Sequence, residues 1–354
     1  MQAVVKSRRA PGAEVTTVPE PVPREREVLV RVLASSVCGT DLHIWQWNSW
    51  AESHLRRIPL IIGHELCGEV VRLGPGVRGL EVGDRVSAET HIVDGTCHQC
   101  RTGRMHICEK VEVLGVDRDG VFAEYAVLPE LNAWKNDPAL DPAIAAVQEP
   151  LGNALHSLLP ESSDEDGVAG KDVLVTGCGP IGLMAVAAAK MLGAGKVVAT
   201  EVNPMRAELA RSLGADLVLR PGADGDDLAA RVRAATGGHG VDVALEMSGH
   251  PASLKLVFDA LRPGGRVSLL GLFDRPATLD FDTAVVFRAA RIHGIFGRRM
   301  FETWFQVKGL LAVPSFREKV ARVITHRVPI PDVARAMQLI ESGQAAKVSL
   351  EAKW

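Results

Sequence analysis

Cys38-Gly39-Thr40-Asp41-Leu42-His43 places a thiol, a hydroxyl, a carboxylate and an imidazole within six residues, and Gly63-His64-Glu65-Leu66-Cys67-Gly68 adds a second imidazole and carboxylate some twenty residues on. Thiolate, imidazole and carboxylate are the ligands of a catalytic zinc that keeps one position open for water or substrate. A divalent cation so held lowers the pKa of an alcohol, and the alkoxide can then expel hydride toward a nicotinamide. Taken singly, each residue has a plainer reading: Cys38 is a small buried hydrophobe and His64 a satisfied core histidine. Their conjunction points to a metal. Three of the six cysteines, Cys97, Cys100 and Cys108, fall within twelve residues. In a chain that is not a small secreted scaffold, such crowding favours metal over disulfides. Cys67 and Cys178 sit in apolar and turn contexts and read as packing residues.

A second chemistry is legible at Gly177-Cys178-Gly179-Pro180-Ile181-Gly182, a G-x-G-x-x-G run. The pattern alone is weak, but here it follows an apolar strand at 172–176 and opens a helix at 180–192, the context that gives it meaning. The first glycine makes the turn, the second lets a pyrophosphate approach backbone N–H groups, and the third allows close helix–strand packing. Nineteen residues past Gly182, Glu201 ends the next strand. A carboxylate there accepts both ribose hydroxyls and repels a 2′-phosphate, so the expected cofactor is NAD rather than NADP. Arg206 admits two readings, a cofactor contact or an exposed helix arginine.

These residues need elements to hold them. At 354 residues, with 47% hydrophobic residues, the chain is long enough for two cores. Residues 1–150 read as short strands broken by Gly and Pro, at 27–33, 61–73 and 121–128, which suggests a rolled β-structure. From about 172 strands and helices alternate. Six strands, at 172–176, 196–201, 217–219, 242–247, 266–270 and 291–296, imply a doubly wound parallel sheet, so the expected class is α/β. Helical patterns follow at 299–311 and 331–341, then a strand at 347–350. The acidic stretch 161–167 reads as a solvated loop. A net charge of −3 gives no basic surface for nucleic acid. The first ten residues lack an apolar run and the longest apolar stretch, 181–189, is too short to cross a bilayer, so the expectation is a cytoplasmic protein without a membrane partner.

The run G-H-E-x-x-G-x5-G-x-x-V at 63–77, together with the Cys38–His43 segment and the glycine fingerprint in that order, resembles the zinc-dependent medium-chain alcohol dehydrogenases over essentially the whole chain. The resemblance implies a GroES-like catalytic domain, 1–155 completed by 297–354, around a Rossmann domain at 156–296. It implies catalytic zinc ligands at Cys38, His64 and Glu149, with Glu65 either a further ligand or an outer partner that exchanges with substrate or water. It makes Thr40 and His43 a proton relay through the cofactor ribose, against the alternative that Thr40 merely caps a helix. The family's structural zinc takes four cysteines, but here the pattern runs Asp94, Cys97, Cys100, Cys108. A site of three sulfurs and one oxygen is chemically reasonable, with lower affinity than four thiolates; a loop without metal is the alternative. Further runs, including the Trp45/Trp47/Trp50 cluster, Thr90-His91-Ile92-Val93, Glu149-Pro150-Leu151-Gly152-Asn153 and Gly297-Arg298-Arg299-Met300, resemble the branch acting on L-threonine. That likeness implies a homotetramer, makes His91 a pocket residue and offers Arg298 to the substrate carboxylate or the cofactor. A polyol or 2,3-butanediol dehydrogenase is the competing reading, and a non-catalytic nucleotide-binding protein the remote one.

Overall fold

The computed structural model describes residues 1–161, 167–223, 227–273 and 275–354; positions 162–166 of the expected acidic loop lie outside them. The described residues form two compact units, Met1–Glu149 with Ile324–Trp354, and Pro150–Val323.

The first unit is built on a seven-stranded sheet. Its path runs Ala133–Lys135, Arg85–Ala88, Glu65–Leu73, Glu27–Ser36, Lys347–Glu351 and Ile324–Pro329, with Tyr125–Pro129 also paired to Glu27–Ser36. The expected strand at 61–73 is interrupted: Leu60–Ile61 joins a smaller sheet, and Glu65–Leu73 starts afresh. Gly63 causes the break. Its φ of +91° is left-handed, and the Phe122 ring occupies the space a Cβ would need. The continuous strand expected at 121–128 likewise starts later, at Tyr125, after an isolated bridge between Ala3 and Ala123. The C-terminal strand Lys347–Glu351 runs antiparallel to Glu27–Ser36, with Ser349 opposite Ser36. Strand Glu65–Leu73 lies on the other side, with Glu65 also opposite Ser36. One register thus carries residues from three distant stretches of chain to the same end of the sheet.

The second unit is the anticipated parallel sheet. Its order is Leu217–Leu219, Val197–Thr200, Val173–Thr176, Val241–Glu246, Leu261–Leu269 and Arg291–Gly294, every pair parallel. The winding reverses between Val173–Thr176 and Val241–Glu246, the switch point at which such sheets bind ligands. Chain 297–323 packs with this unit, so the return to the first unit comes at Ile324 and not at 297. The reason is a buried helical stripe: Trp304, Val307 and Leu311 on Glu302–Leu311, and Phe316, Val320 and Val323 on Pro314–Val323. Helices Pro142–Ala146, Gln148–Leu158, Leu228–Ala235 and Pro314–Val323 were not anticipated. No helix among the described residues is long and apolar enough to cross a membrane.

The glycine fingerprint folds as its spacing requires. Gly177 has φ +84°, and Gly179 caps the helix Pro180–Met191. A methyl group on Gly182 would stand 2.0 Å from the Gly177 carbonyl oxygen, whereas one on Gly179 would meet nothing within 4 Å. Gly182→Ala is therefore expected to cost about 3 kcal/mol of stability, and Gly179→Ala no more than about 1 kcal/mol. Chemical unfolding compares the two; equal midpoints would contradict the close-packing role of Gly182.

Candidate active site

Strand end, helix start and C-terminal strand meet in the first unit. Cys38 ends the loop after Glu27–Ser36 and caps the helix Gly39–Gln46, where its backbone N–H donates to Asp41 Oδ2 at 2.8 Å. This puts Thr40 inside the first turn, not at the cap, and its Oγ1 lies 4.0 Å from Cys38 Sγ. The ligand atoms of Cys38, His64 and Glu65 all fall within 4.8 Å of one another. His64 and Glu65 are buried; Cys38 is partly exposed, which leaves the set one open side. Glu149 is not one of that mutually close set but is also buried, and its charge acts on Asp41, His64, Glu65 and Lys347. Thr90 Oγ1 donates to it at 3.4 Å.

The electrostatics of this cluster call for positive charge. Burial lowers the His64 pKa, but the charges of Asp41, Cys38 and Glu149 and a hydrogen bond with Cys38 outweigh it and carry the value up to about 10. A zinc ion binding there would displace that proton. His64 Nδ1 and Asp41 Oδ1 stand 3.6 Å apart, too far for a hydrogen bond, and neither buried atom has a hydrogen-bond partner among the described residues. That placement fits a carboxylate backing a metal-ligating imidazole. The donor set therefore suits zinc.

Glu65 is held from three directions. Ser36 Oγ donates to its Oε2, Ser35 Oγ donates to its backbone carbonyl, and Lys347 Nζ lies 2.6 Å from its carboxylate. Lys347 also donates to the Val37 carbonyl at 2.8 Å and is 2% exposed. Burial raises the Glu65 pKa while the Lys347 charge opposes the rise. Burial likewise lowers the Lys347 pKa, but Glu65 and Cys38 more than reverse this. Sequence reading missed Asp41, Ser36 and Lys347 as working parts of the site. Asp41 sat in plain view between Cys38 and His43, whereas nothing local marks Lys347.

The second metal lobe has the dimensions of a zinc site. Tetrahedral zinc with Zn–S and Zn–O lengths near 2.3 and 2.0 Å sets S···S at about 3.8 Å and S···O at about 3.5 Å. Cys97 Sγ and Cys108 Sγ are 3.8 Å apart, and Cys108 Sγ is 3.5 Å from Asp94 Oδ1. Cys100 completes the cluster, with all four ligand atoms within 4.8 Å. The N–H groups of Cys97 and Thr96 donate to Asp94 Oδ1 and, with the neighbouring thiols, hold its carboxyl well below the usual range. Aspartate thus stands where its oxygen replaces the fourth sulfur.

In the second unit a cavity of about 830 Å³ opens at the switch point, lined by Gly177, Gly179, Glu201, Arg206, Ser248 and His250 among others. Glu201 Oε2 accepts the Cys178 N–H at 2.8 Å, and Oε1 accepts the Asn203 N–H at 2.8 Å and Arg206 Nη2 at 3.0 Å. Pro180 and Ile181 occupy the first turn of the helix that faces this loop. Arg298 is buried in the same unit, its Nη1 donating to Asn153 Oδ1 at 3.1 Å. His91 is buried in the first unit, on a short strand whose carbonyl is bonded by Asn132. Its backbone N–H donates to Glu89.

Comparison with known proteins agrees with this division. Residues 24–138 match the alcohol dehydrogenase GroES-like domain and residues 180–312 the zinc-binding dehydrogenase domain. L-threonine 3-dehydrogenase of Pyrococcus horikoshii is 47% identical over 98% of this chain and 97% of its own, and that of Symbiobacterium thermophilum 45% over 99% and 97%. The chain belongs to the zinc-binding dehydrogenase family. Among solved structures, 2R,3R-butanediol dehydrogenase from Bacillus subtilis superposes with a TM-score of 0.87, at 26% identity and 99% coverage of both chains. This zinc-binding dehydrogenase is accordingly an oxidoreductase of zinc and nicotinamide chemistry, with a small molecule as substrate.

One consequence of the buried pair is measurable. Lys347→Met in this dehydrogenase strands the Glu65 carboxylate and is expected to cost about 3–5 kcal/mol in chelator-treated protein; adding Glu65→Gln should recover part of the loss. Tryptophan fluorescence follows this unit, since of the six tryptophans all but Trp304 lie in it. An unfolding midpoint unmoved by Lys347→Met would show that the pair carries no such energy.

Proposed function

We propose that this dehydrogenase oxidises the β-hydroxyl of L-threonine to 2-amino-3-oxobutanoate while NAD is reduced. The observation that carries the reading is the identity of 45–47% over nearly the full chain with L-threonine 3-dehydrogenases, against 26% for the butanediol enzyme of the same fold. The first unit is the catalytic half and the second the cofactor half.

Cys38, His64 and Glu149 hold the catalytic zinc, with Glu65 beside them, and Asp94, Cys97, Cys100 and Cys108 hold a structural zinc. Bound there, zinc supplies the positive charge that makes a hydroxyl acidic, and NAD supplies the hydride acceptor. Asp41 orients His64. Thr40 takes the alcohol proton and passes it toward His43. His91 shapes the substrate pocket, and Arg298 recognises the carboxylate of the amino acid or a group of the cofactor. Gly177, Gly179 and the turn Pro180-Ile181-Gly182 seat the pyrophosphate, and Glu201, steadied by Arg206, receives the ribose hydroxyls.

A cytoplasmic homotetramer completes the proposal. Ile292 and Phe296 on and beside the sheet-edge strand Arg291–Gly294 are exposed, as are Leu272, Phe281 and Phe287 in the same unit. Exposed apolar side chains at and near a sheet edge offer a surface that another copy of the chain could cover.

Purified enzyme should contain two zinc ions per chain, falling toward one in Asp94→Ala, and should elute as four chains by light scattering. It should reduce NAD with L-threonine far faster than with 2,3-butanediol, and a chelator should abolish the rate. Preference for the diol, or oxidation undiminished by chelation, defeats the reading. Glu201→Ala should erode the preference for NAD over NADP by roughly tenfold in kcat/KM; an unchanged ratio removes Glu201 from cofactor selection.

A further inference from the structure

His43 is held by a side chain whose own orientation is dictated elsewhere. Asn48 caps the helix Ser49–His54, and its Oδ1 accepts the backbone N–H groups of Trp50 at 3.1 Å and Ala51 at 3.2 Å. An amide oxygen and nitrogen are told apart by the network they join. Here two backbone donors demand an acceptor, so the oxygen must face the helix. The amide nitrogen then faces the other way, where it lies 2.7 Å from His43 Nδ1. An amide NH2 only donates, so Nδ1 must present its lone pair. Turning the amide over would aim its NH2 at two N–H groups and lose the helix cap.

We propose that Asn48 is a tautomer lock for His43, keeping Nδ1 a hydrogen-bond acceptor and the ring proton on Nε2. It is a positioning residue. The lock concerns the same His43 to which the relay was assigned above, and it rests on that reading for its catalytic meaning but not for its test. The locked ring is neutral and its single lone pair is occupied, so it donates from Nε2 to whatever oxygen it meets. It can store a proton only by giving up Asn48.

The surroundings reinforce this. Trp50 lies over His43 with ring centroids 5.7 Å apart, and burial holds the His43 pKa below the ordinary imidazole value. Ionisable groups on the two helices are engaged elsewhere. Asp41 is turned to Cys38 and His64, Glu52 accepts from Trp47 Nε1 and pairs with Arg9, and His54 is stacked on Trp50 at 4.4 Å. Lys6 and Arg9 lie over the Trp47 ring.

The test uses Asn48→Asp. Aspartate caps a helix as well as asparagine does, so the helix is retained while the donor facing Nδ1 becomes a charged acceptor. In whole enzyme labelled with 15N-histidine, with His43 assigned by the loss of its signals in His43→Gln, the ring nitrogens report the tautomer directly. The unsubstituted enzyme should show Nε2 protonated and Nδ1 bare. Asn48→Asp should reverse the tautomer and raise the His43 pKa by roughly one unit or more, moving any limb of the pH–rate profile that His43 controls. Protonated Nδ1 in the unsubstituted enzyme overturns the proposal without need of a variant, and so does an unchanged tautomer in Asn48→Asp. A correct tautomer in an enzyme that ignores L-threonine would leave the lock standing and remove only the proposed substrate.

Discussion

Buried negative charge governs the first unit. Asp41, Glu65 and Glu149 are buried, and Lys347 and the His64 imidazole are cations whose charge acts on Asp41 and Glu65. Carboxylates so placed cost several kcal/mol each unless they are paired and hydrogen-bonded. Lys347 answers Glu65 at 2.6 Å across 282 positions of sequence. Protonated His64 answers Asp41 and Cys38, and a divalent cation held at the same place would bring more positive charge. The sheet must be assembled as it is, with strand Glu27–Ser36 between Glu65–Leu73 and Lys347–Glu351, for this balance to exist.

The second unit works by a different economy. Backbone geometry shapes its cleft: a left-handed Gly177, a helix starting at Gly179 and a Gly182 that lets helix and turn touch. Glu201 is paired with Arg206 and is also gripped by the backbone N–H of Cys178 inside the glycine loop itself. The carboxylate proposed to read the ribose thus also braces the glycine loop, so in that proposal cofactor selection and phosphate recognition are mechanically joined.

A recurring device orients the reactive groups. Asp41 accepts the Cys38 N–H through one oxygen and aims the other at His64. Asn48 caps a helix with its oxygen and aims its nitrogen at His43. Asp94 accepts two backbone N–H groups with the same oxygen that faces the thiols. In each case a local backbone demand fixes a side chain, which then fixes its functional neighbour. Such sites stay ordered without large hydrophobic investment because the same hydrogen bonds that shape the turn also aim the chemistry.

Much of this was written locally. The glycine fingerprint, the paired motifs around Cys38 and His64, the Asp94–Cys108 spacing and the six-strand alternation could all be read because each is a short-range pattern whose geometry follows from a turn, a cap or a strand period. The interruption at Gly63 was less visible, since a single glycine does not by itself end a strand and it is Phe122, arriving from another loop, that fills the space a side chain there would need. Chain 297–323 was misplaced for a similar reason: a buried helical stripe says that a helix packs, not on which sheet. Lys347 is the plainest case. In sequence it is a lysine opening an ordinary strand; it becomes part of the site because the register of three strands, set by pairings across most of the chain, delivers it to Glu65. Local stereochemistry chooses which residues can do the chemistry, while long-range strand pairing, which leaves no mark in any short window, chooses the partners that charge and orient them.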